Sequence, residues 1–480
     1  MSLLASVILV HSPEGIGIGE SDIWWHLLNA RYLLQFHVFP SVDTYSFTAA
    51  GAHWLDHEWL SEIAFLLSFR TAGLQGILGL YSAIMVLIFT GVYYRSCRAG
   101  ANCKNAAVVT AGAICLGCVS LAPRMLLFGW LCMVGLLLVL DRFRHTGKGL
   151  WLLPPLFALW INLHGSWVFG MIVLMLTIVS GLVEGEWGLV VATRWNQVEW
   201  KKLLLASAAS LAALFANPFG YRLVFYPFDL LFRQQDVMRY ISYWQPVDFS
   251  TPRGKQVLIL IFAILAAALF SRHRWRLDEV LLMAFALWAA LAHMRFLDFA
   301  ALSIAPILAP SLKLFPPYQR ELDKPWLNAG IIAAVVGLLI FFFPSAAKLQ
   351  QQVNEEYPTA ALEFMQQRHL NGRIFNTNEF GSYMEWNAPA LKPFIDGRED
   401  IFVYKGIFDD YLSAVLVRRS FEVLDKYKID YVFLEPKTPL GYLLEYSPAW
   451  RMIYSDKVAV LFERTPATAA AAGPLKVRSN

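Results

Sequence analysis

The chain has 480 residues, of which 57% are hydrophobic and 16% charged, with a formal net charge of +4 and a mean hydropathy of +0.47. Soluble globular proteins average about 45–50% apolar and about 25% charged residues. The balance excludes a disordered chain, a solenoid of charged helices and an ordinary cytosolic enzyme. With no basic stripe it also excludes a nucleic-acid binder, and it leaves a multi-span membrane protein.

In chain order, Ser2 to Val10 is apolar but too short to span alone. It reads as the stub of a first helix beginning upstream of Met1, or as a re-entrant piece, and it lacks the basic and small-residue marks of a signal peptide. A long loop, 11–72, follows. Within it, Asp22 to Phe36 reads as an amphipathic helix lying at the membrane interface, with Trp24, Trp25, Tyr32 and Phe36 as interfacial aromatics and Pro40 ending it. A second flat helix is expected over Glu58–Phe69. Apolar runs then predict membrane helices at 73–94, 105–121, 125–140, 149–162, 166–182, 201–216, 255–271, 279–294, 297–313 and 328–343. A second long loop, 217–254, opens with Asn217-Pro218-Phe219-Gly220, which breaks the preceding helix.

From Glu355 the composition becomes that of a soluble domain. Helices are expected at 357–369, 406–416 and 418–427. Short strands are expected at Arg373–Asn376, Pro393–Asp396, Tyr431–Glu435, Met452–Tyr454 and Val458–Phe462. The Ala-rich tail after Thr465 is expected to be disordered. The fold class is therefore an all-α polytopic membrane bundle of about 10–11 transmembrane helices. It carries interfacial helices in its first outward loop and a small C-terminal extracytoplasmic α/β domain. The boundaries read as 1–343, 344–465 and 466–480.

Positive charge sets the orientation. Alternate loops hold Arg95, Arg98 and Lys104; Arg142, Arg144 and Lys148; Arg194, Lys201 and Lys202; Arg272, Arg274 and Arg276; and Lys313, Arg320 and Lys324. The opposite short turns hold Arg124 and Arg295 only. The basic loops are thus assigned to the cytoplasm, and 11–72, 217–254 and the C-terminal domain to the outward side, which in a bacterium is the periplasm or cell exterior, the protein then being multi-pass in the inner membrane. The five cysteines, Cys97, Cys103, Cys115, Cys118 and Cys132, lack zinc-finger spacing and read as helix-packing residues.

The outward side collects unusual polar residues. Asp22, His26 and Asn29 share one helix stripe, with Glu20 just before it. Asp56, His57 and Glu58 stand together further on. Ser21 or Asp22, and Asp56, could each simply cap a helix. Asn162-Leu163-His164-Gly165 makes a tight turn, and Arg295 and Asp298 sit at outward helix ends. The arginines Arg295 and Arg124 either form ion pairs within the bundle or hold a phosphate through bidentate guanidinium geometry. No nucleotide-binding, zinc-protease or serine-hydrolase motif is present.

The runs Asp22-Ile23-Trp24-Trp25-His26, Pro40-Ser41-Val42-Asp43-Thr44-Tyr45-Ser46-Phe47-Thr48 and Trp54-Leu55-Asp56-His57-Glu58-Trp59-Leu60 resemble bacterial members of the glycosyltransferase C superfamily. So do Asn162-Leu163-His164-Gly165, Asn217-Pro218-Phe219-Gly220 and Phe394-Ile395-Asp396-Gly397-Arg398. The resemblance implies a polyprenyl-phosphate-linked sugar donor and an acidic motif in the first outward loop, which Glu20-Ser21-Asp22 matches in its ExD form. Two departures stand out: the first membrane helix is nearly missing, and Pro123-Arg124 occupies the place of an expected Arg-Pro.

On that resemblance the expected activity is inverting sugar transfer to an extracytoplasmic glycan, lipid or protein. Asp22 is the expected base, with Glu20 and His26 positioning the acceptor or a divalent metal. Arg295 and Arg124 would bind the donor phosphate, and Asp56, His57, Glu58, Asn162 and His164 would line the cavity. Membrane lipids and membrane protein partners are expected neighbours. The alternatives are a non-catalytic membrane scaffold with a degenerate form of the same fold, and a transporter of lipid-linked sugars.

Overall fold

The computed structural model describes the chain except residues 1–20, 118–121, 234–241, 317, 320, 322 and 466–480. The stub at Ser2–Val10, Glu20, Cys118 and the Ala-rich tail therefore lie outside the described residues. The rest forms two compact units. One contains His57–Pro344; the other joins the described part of Gly17–Asp56 to that of Ser345–Asn480. The sequence partition grouped all of 11–72 with the membrane helices, whereas the described residues as far as Asp56 belong to the unit built from the C-terminal segment.

In the first unit each of the predicted apolar runs falls on a helix. Trp59–Arg98, Leu126–Thr146, Pro252–Phe270, Met294–Ser311 and Pro325–Phe342 are long and apolar enough to cross a membrane. Cys103–Leu116, Leu150–Leu163 and Trp167–Ser180 are shorter apolar helices, and Gln197–Ala213 and Leu277–Ala292 complete the set. None of the residues of Pro325–Phe342 is buried. A helix apolar all round with no protein cover needs lipid as its solvent. The predicted helix Glu58–Phe69 is continuous with the next span. Together they form Trp59–Arg98, interrupted by non-helical backbone at Ala72 and Gly73, where Gly73 takes φ +59°.

Small residues let these helices approach closely. A Cβ on Gly91 would collide with Val134, and one on Gly170 would lie 2.6 Å from the Trp160 ring. At the Arg98 end of the long helix, Arg95 Nε lies 2.7 Å from Asp141. Arg144 pairs with Asp278 at 2.8 Å, and Arg276 with Asp278 at 3.2 Å and Glu279 at 3.1 Å. The residues that read as loop charge thus also clamp three helix ends together. Beside them lies a small sheet absent from the sequence reading: β1 (Gly185–Trp187) pairs antiparallel with β2 (Val190–Ala192), which pairs parallel with β3 (Trp275–Arg276).

The second unit is a four-stranded sheet of order β4-β5-β7-β6. Here β4 (Ile374–Asn376) runs parallel to β5 (Tyr431–Leu434), and β7 (Val460–Arg464) pairs antiparallel with both β5 and β6 (Trp450–Ser455). Helices Thr359–Gln367, Ile407–Val415 and Ser420–Lys426 lie where the sequence predicts them. Pro393–Asp396 is not a strand. Side chains hold its backbone instead: Phe394 N–H donates to Asn376 Oδ1 at 2.7 Å, Asn376 Nδ2 donates to Ile395 O at 2.8 Å, and Thr48 Oγ1 donates to Phe394 O at 2.5 Å.

The helix Asp22–Phe36 belongs to this unit and packs on Asn378–Asn387. Its tryptophans are core residues rather than interfacial aromatics: Trp24 and Trp25 are 3% and 6% exposed. Trp24 meets the Tyr357 and Tyr383 rings edge-on. Trp25 joins the cluster containing Trp54, Phe394, Ile395 and Phe402.

Candidate active site

Within the first unit, the start of Trp59–Arg98 is pinned to the Asn162–His164 turn. Trp59 Nε1 donates to Asn162 Oδ1 at 2.9 Å, and Ser61 Oγ donates to Leu163 O at 2.7 Å. Asn162 Nδ2 also donates to Ala216 O at 2.9 Å, tying in the segment before Asn217. The turn fits because the neighbouring helix carries Gly129, where a Cβ would collide with Ser166 Oγ and stand 3.2 Å from His164 Nδ1.

This arrangement fixes the His164 tautomer. Its Nδ1 accepts the Ser166 N–H at 2.9 Å, so the proton sits on Nε2, which lies 3.1 Å from Glu58 Oε1. Burial holds the imidazole well below the usual 6.5, and the charges of His57 and Arg295 act in the same direction. A neutral histidine therefore donates to the Glu58 carboxylate. The His57 Nε2 lies 3.7 Å from the same carboxylate oxygen, and its ring sits 4.6 Å from that of Tyr226.

Arginine enters the same region on two turns. Arg295 stacks on Trp244 at 3.9 Å. Its turn is joined to the Trp244–Gln245 backbone by Met294 N–H donating to Gln245 O at 3.0 Å and by His293 Nδ1 at 2.6 Å from Trp244 O. Arg295 and Arg124 both approach the Tyr243 ring, at 5.9 and 5.3 Å. Two guanidinium groups on aromatic faces, beside a neutral histidine and one carboxylate, form a cationic site suited to an anionic oxygen cluster such as phosphate.

The structure thus brings together His57, Glu58, Asn162, His164, Arg124 and Arg295 of the sequence-predicted set. Asp22, His26 and Asp56 belong to the second unit. Asp56 is 1% exposed, and the N-cap residue of the following helix is Glu58. Ser21 is the N-cap residue of Asp22–Phe36 but makes no side-chain cap bond, and Asp22 sits in the first turn. The Asp22 carboxylate accepts from Trp25 Nε1 at 3.3 Å. His26 is buried, its ring 3.6 Å from that of Trp25. Among the described residues, no group of three or more His, Cys, Asp or Glu is arranged to hold a metal ion.

Sequence reasoning singled out no role for a buried charge cluster in the second unit. Arg398 Nη2 lies 2.9 Å from Asp43, 2.6 Å from Asp396 and 3.3 Å from Glu385. Burial, reinforced by the Asp396 charge, pushes the Glu385 carboxyl well above its usual range. The signal was present: Asp43, Asp396 and Arg398 stand in runs that resemble the glycosyltransferase C proteins, but nothing in the sequence shows that these runs meet.

The chain matches no family model and no curated protein by sequence. It does match solved structures. The Archaeoglobus fulgidus oligosaccharyltransferase in the apo form aligns at TM-score 0.54 and 12% identity, over 97% of this chain and 74% of that one. The oligosaccharyltransferase AglB of the same organism, in complex with an inhibitory peptide and a dolichol-phosphate, aligns at 0.52 and 12%, over 99% and 74%. ArnT from Cupriavidus metallidurans, bound to undecaprenyl phosphate, aligns at 0.52 and 12%, over 99% and 98%. At this identity the likeness is one of fold. The chain shares the fold of these structures, a polytopic membrane bundle with a C-terminal α/β domain, which is the architecture that the resemblance implied.

Proposed function

We propose that the protein transfers a sugar from a polyprenyl-phosphate-linked donor to an acceptor on the outer side of a bacterial inner membrane. The carrying observation is the pair Arg124 and Arg295 on the aromatic faces of Tyr243 and Trp244. It occurs in a chain whose fold is shared with proteins solved with dolichol-phosphate and undecaprenyl phosphate.

In the proposed reaction the acceptor oxygen or nitrogen attacks the anomeric carbon with inversion. The bond from that carbon to the phosphate oxygen breaks, and the phosphate leaves with the electron pair. Arg124 and Arg295 take up the negative charge that grows on the leaving group. His164 holds Glu58 in place without adding positive charge, so it does not compete with the arginines for phosphate. Asp22 is the proposed base for the acceptor proton, as its half-buried place on the first turn of its helix allows. Glu20 and His26 are proposed to support it, directly or through a divalent metal, and the C-terminal α/β unit is proposed to lie outside the cytoplasm and select the acceptor.

The test is turnover. Purified protein given polyprenyl-phosphate sugars should release polyprenyl phosphate, and Asp22→Asn should lower the rate by about 10²-fold or more. Release undiminished in that variant removes Asp22 from the base role. No release from any donor in the wild type, with lipid-linked sugar still bound, overturns the transferase reading.

A further inference from the structure

Gly397 lies between two residues of the buried charge cluster, and its glycine identity follows from a close approach. Its backbone is not in the left-handed region that favours glycine. A Cβ at this position, however, would collide with the Asp22 Oδ1 and stand 3.0 Å from Trp25 Nε1. The backbone of residue 397 is therefore the surface against which the Asp22 carboxylate rests.

That surface is held from every side. Gly397 N–H donates to Ser382 Oγ at 3.2 Å. Before it, Ile395 O accepts from Asn376 Nδ2 at 2.8 Å. Asp396 receives the Arg398 Nε at 2.9 Å and the Arg398 N–H at 2.8 Å. After it, Arg398 is bound to Asp43 and Glu385 as well, and its guanidinium lies over the rings of Tyr45 and Trp54. On its other side Asp22 accepts from Trp25 Nε1, and Trp25 is packed into the core of the unit.

We infer that Gly397 is a positioning residue for Asp22: the C-terminal Asp396-Gly397-Arg398 segment, made rigid by its ion cluster, sets the direction of the Asp22 carboxylate. This rests on the reading of Asp22 as the base. It gives the C-terminal unit a second task besides acceptor choice, since a carboxylate misplaced by about 1 Å can cost about 10²-fold in rate.

The experiment compares Gly397→Ala, Ser382→Ala, Asp22→Asn and the double variant Asp22→Asn/Gly397→Ala in the polyprenyl-phosphate-sugar assay. Gly397→Ala should lower kcat about tenfold or more while the donor KM stays within about twofold. Ser382→Ala, which removes the acceptor of the Gly397 N–H and leaves Asp22 untouched, should lower kcat in the same direction by less. In the Asp22→Asn background, Gly397→Ala should cause no further loss, because both act through one carboxylate. A merely structural glycine would give additive losses, and that result overturns the inference, as does wild-type kcat in Gly397→Ala.

Thermal melting gives an arm free of activity. Gly397→Ala should melt lower, and Asp22→Gly in the same molecule should restore part of the loss by removing the colliding carboxylate. Absence of restoration overturns the contact. Full activity in Asp22→Asn, with restoration intact, instead refutes the base reading and the catalytic use of the contact together.

Discussion

Arg398 and Asp43, from opposite ends of the chain, meet with Nη2 2.9 Å from Oδ1, and both side chains are fully buried. A buried guanidinium is expensive to desolvate, and the structure answers that cost with the carboxylates of Asp43 and Asp396, the Glu385 carboxyl group and two aromatic faces. Arg398→Ala would leave the Asp43 and Asp396 carboxylates buried without a counter-charge. The expected loss is about 3–5 kcal/mol, read as a fall in the melting midpoint of detergent-solubilised protein. An unchanged midpoint would mean that the cluster is not holding the Asp43 segment to the C-terminal sheet.

Glu385 supplies a pH signature in the same cluster. Its folded pKa is raised well above 4.5 by burial and by Asp396. The native state therefore binds more protons than the unfolded one between those two values. Stability from this group is complete below the ordinary carboxylate pKa and is lost as pH rises through the raised one. Glu385→Gln, which keeps a neutral side chain, should flatten the loss of melting temperature as pH rises. An identical slope in wild type and variant would assign the loss to another group.

The architecture was legible in the sequence because lipid imposes it. Spans such as 73–94 and 328–343 must be long apolar helices, and they are. The two acidic neighbourhoods were legible as positions, but their partners were not. Trp24 and Trp25 read as interfacial aromatics because their amphipathic character is local. Their burial depends on Tyr357, Tyr383 and Trp54 from distant segments. Pro393–Asp396 read as a strand from its apolar residues. No periodicity reveals that Asn376 and Thr48 replace the ladder with side-chain hydrogen bonds. Gly397, unremarkable as one of 30 glycines, acquires its meaning only from the carboxylate against it.

The Glu58–His164 pair has the opposite pH sense. The His164 imidazole is held well below 6.5, so the native state binds fewer protons than the unfolded state below that value. Its contribution is fully present above about pH 6.5 and is lost as pH falls toward the folded pKa. His164→Asn should lessen the acid-side fall in melting temperature. A wild-type acid slope in the variant would show that the fall arises elsewhere.

Gly129 gives a steric prediction. Gly129→Ala places a methyl group against Ser166 Oγ and close to His164 Nδ1. Overpacking of this kind costs about 1–3 kcal/mol. The displaced turn should also weaken binding of a polyprenyl-phosphate donor, because it carries His164 and Asn162. Unchanged melting and unchanged binding would together show that the turn is not fixed by this close contact.

Arg124 and Arg295 are proposed to hold a lipid phosphate, and binding of undecaprenyl phosphate, without any sugar, to purified wild-type, Arg124→Ala and Arg295→Ala proteins tests this. Loss of one charge-assisted contact of about 1.5–3 kcal/mol should weaken binding about 10- to 100-fold in each variant, with the folded state intact by melting. Equal affinity in all three proteins would contradict the claim and leave the arginines as aromatic-stacked struts of the bundle.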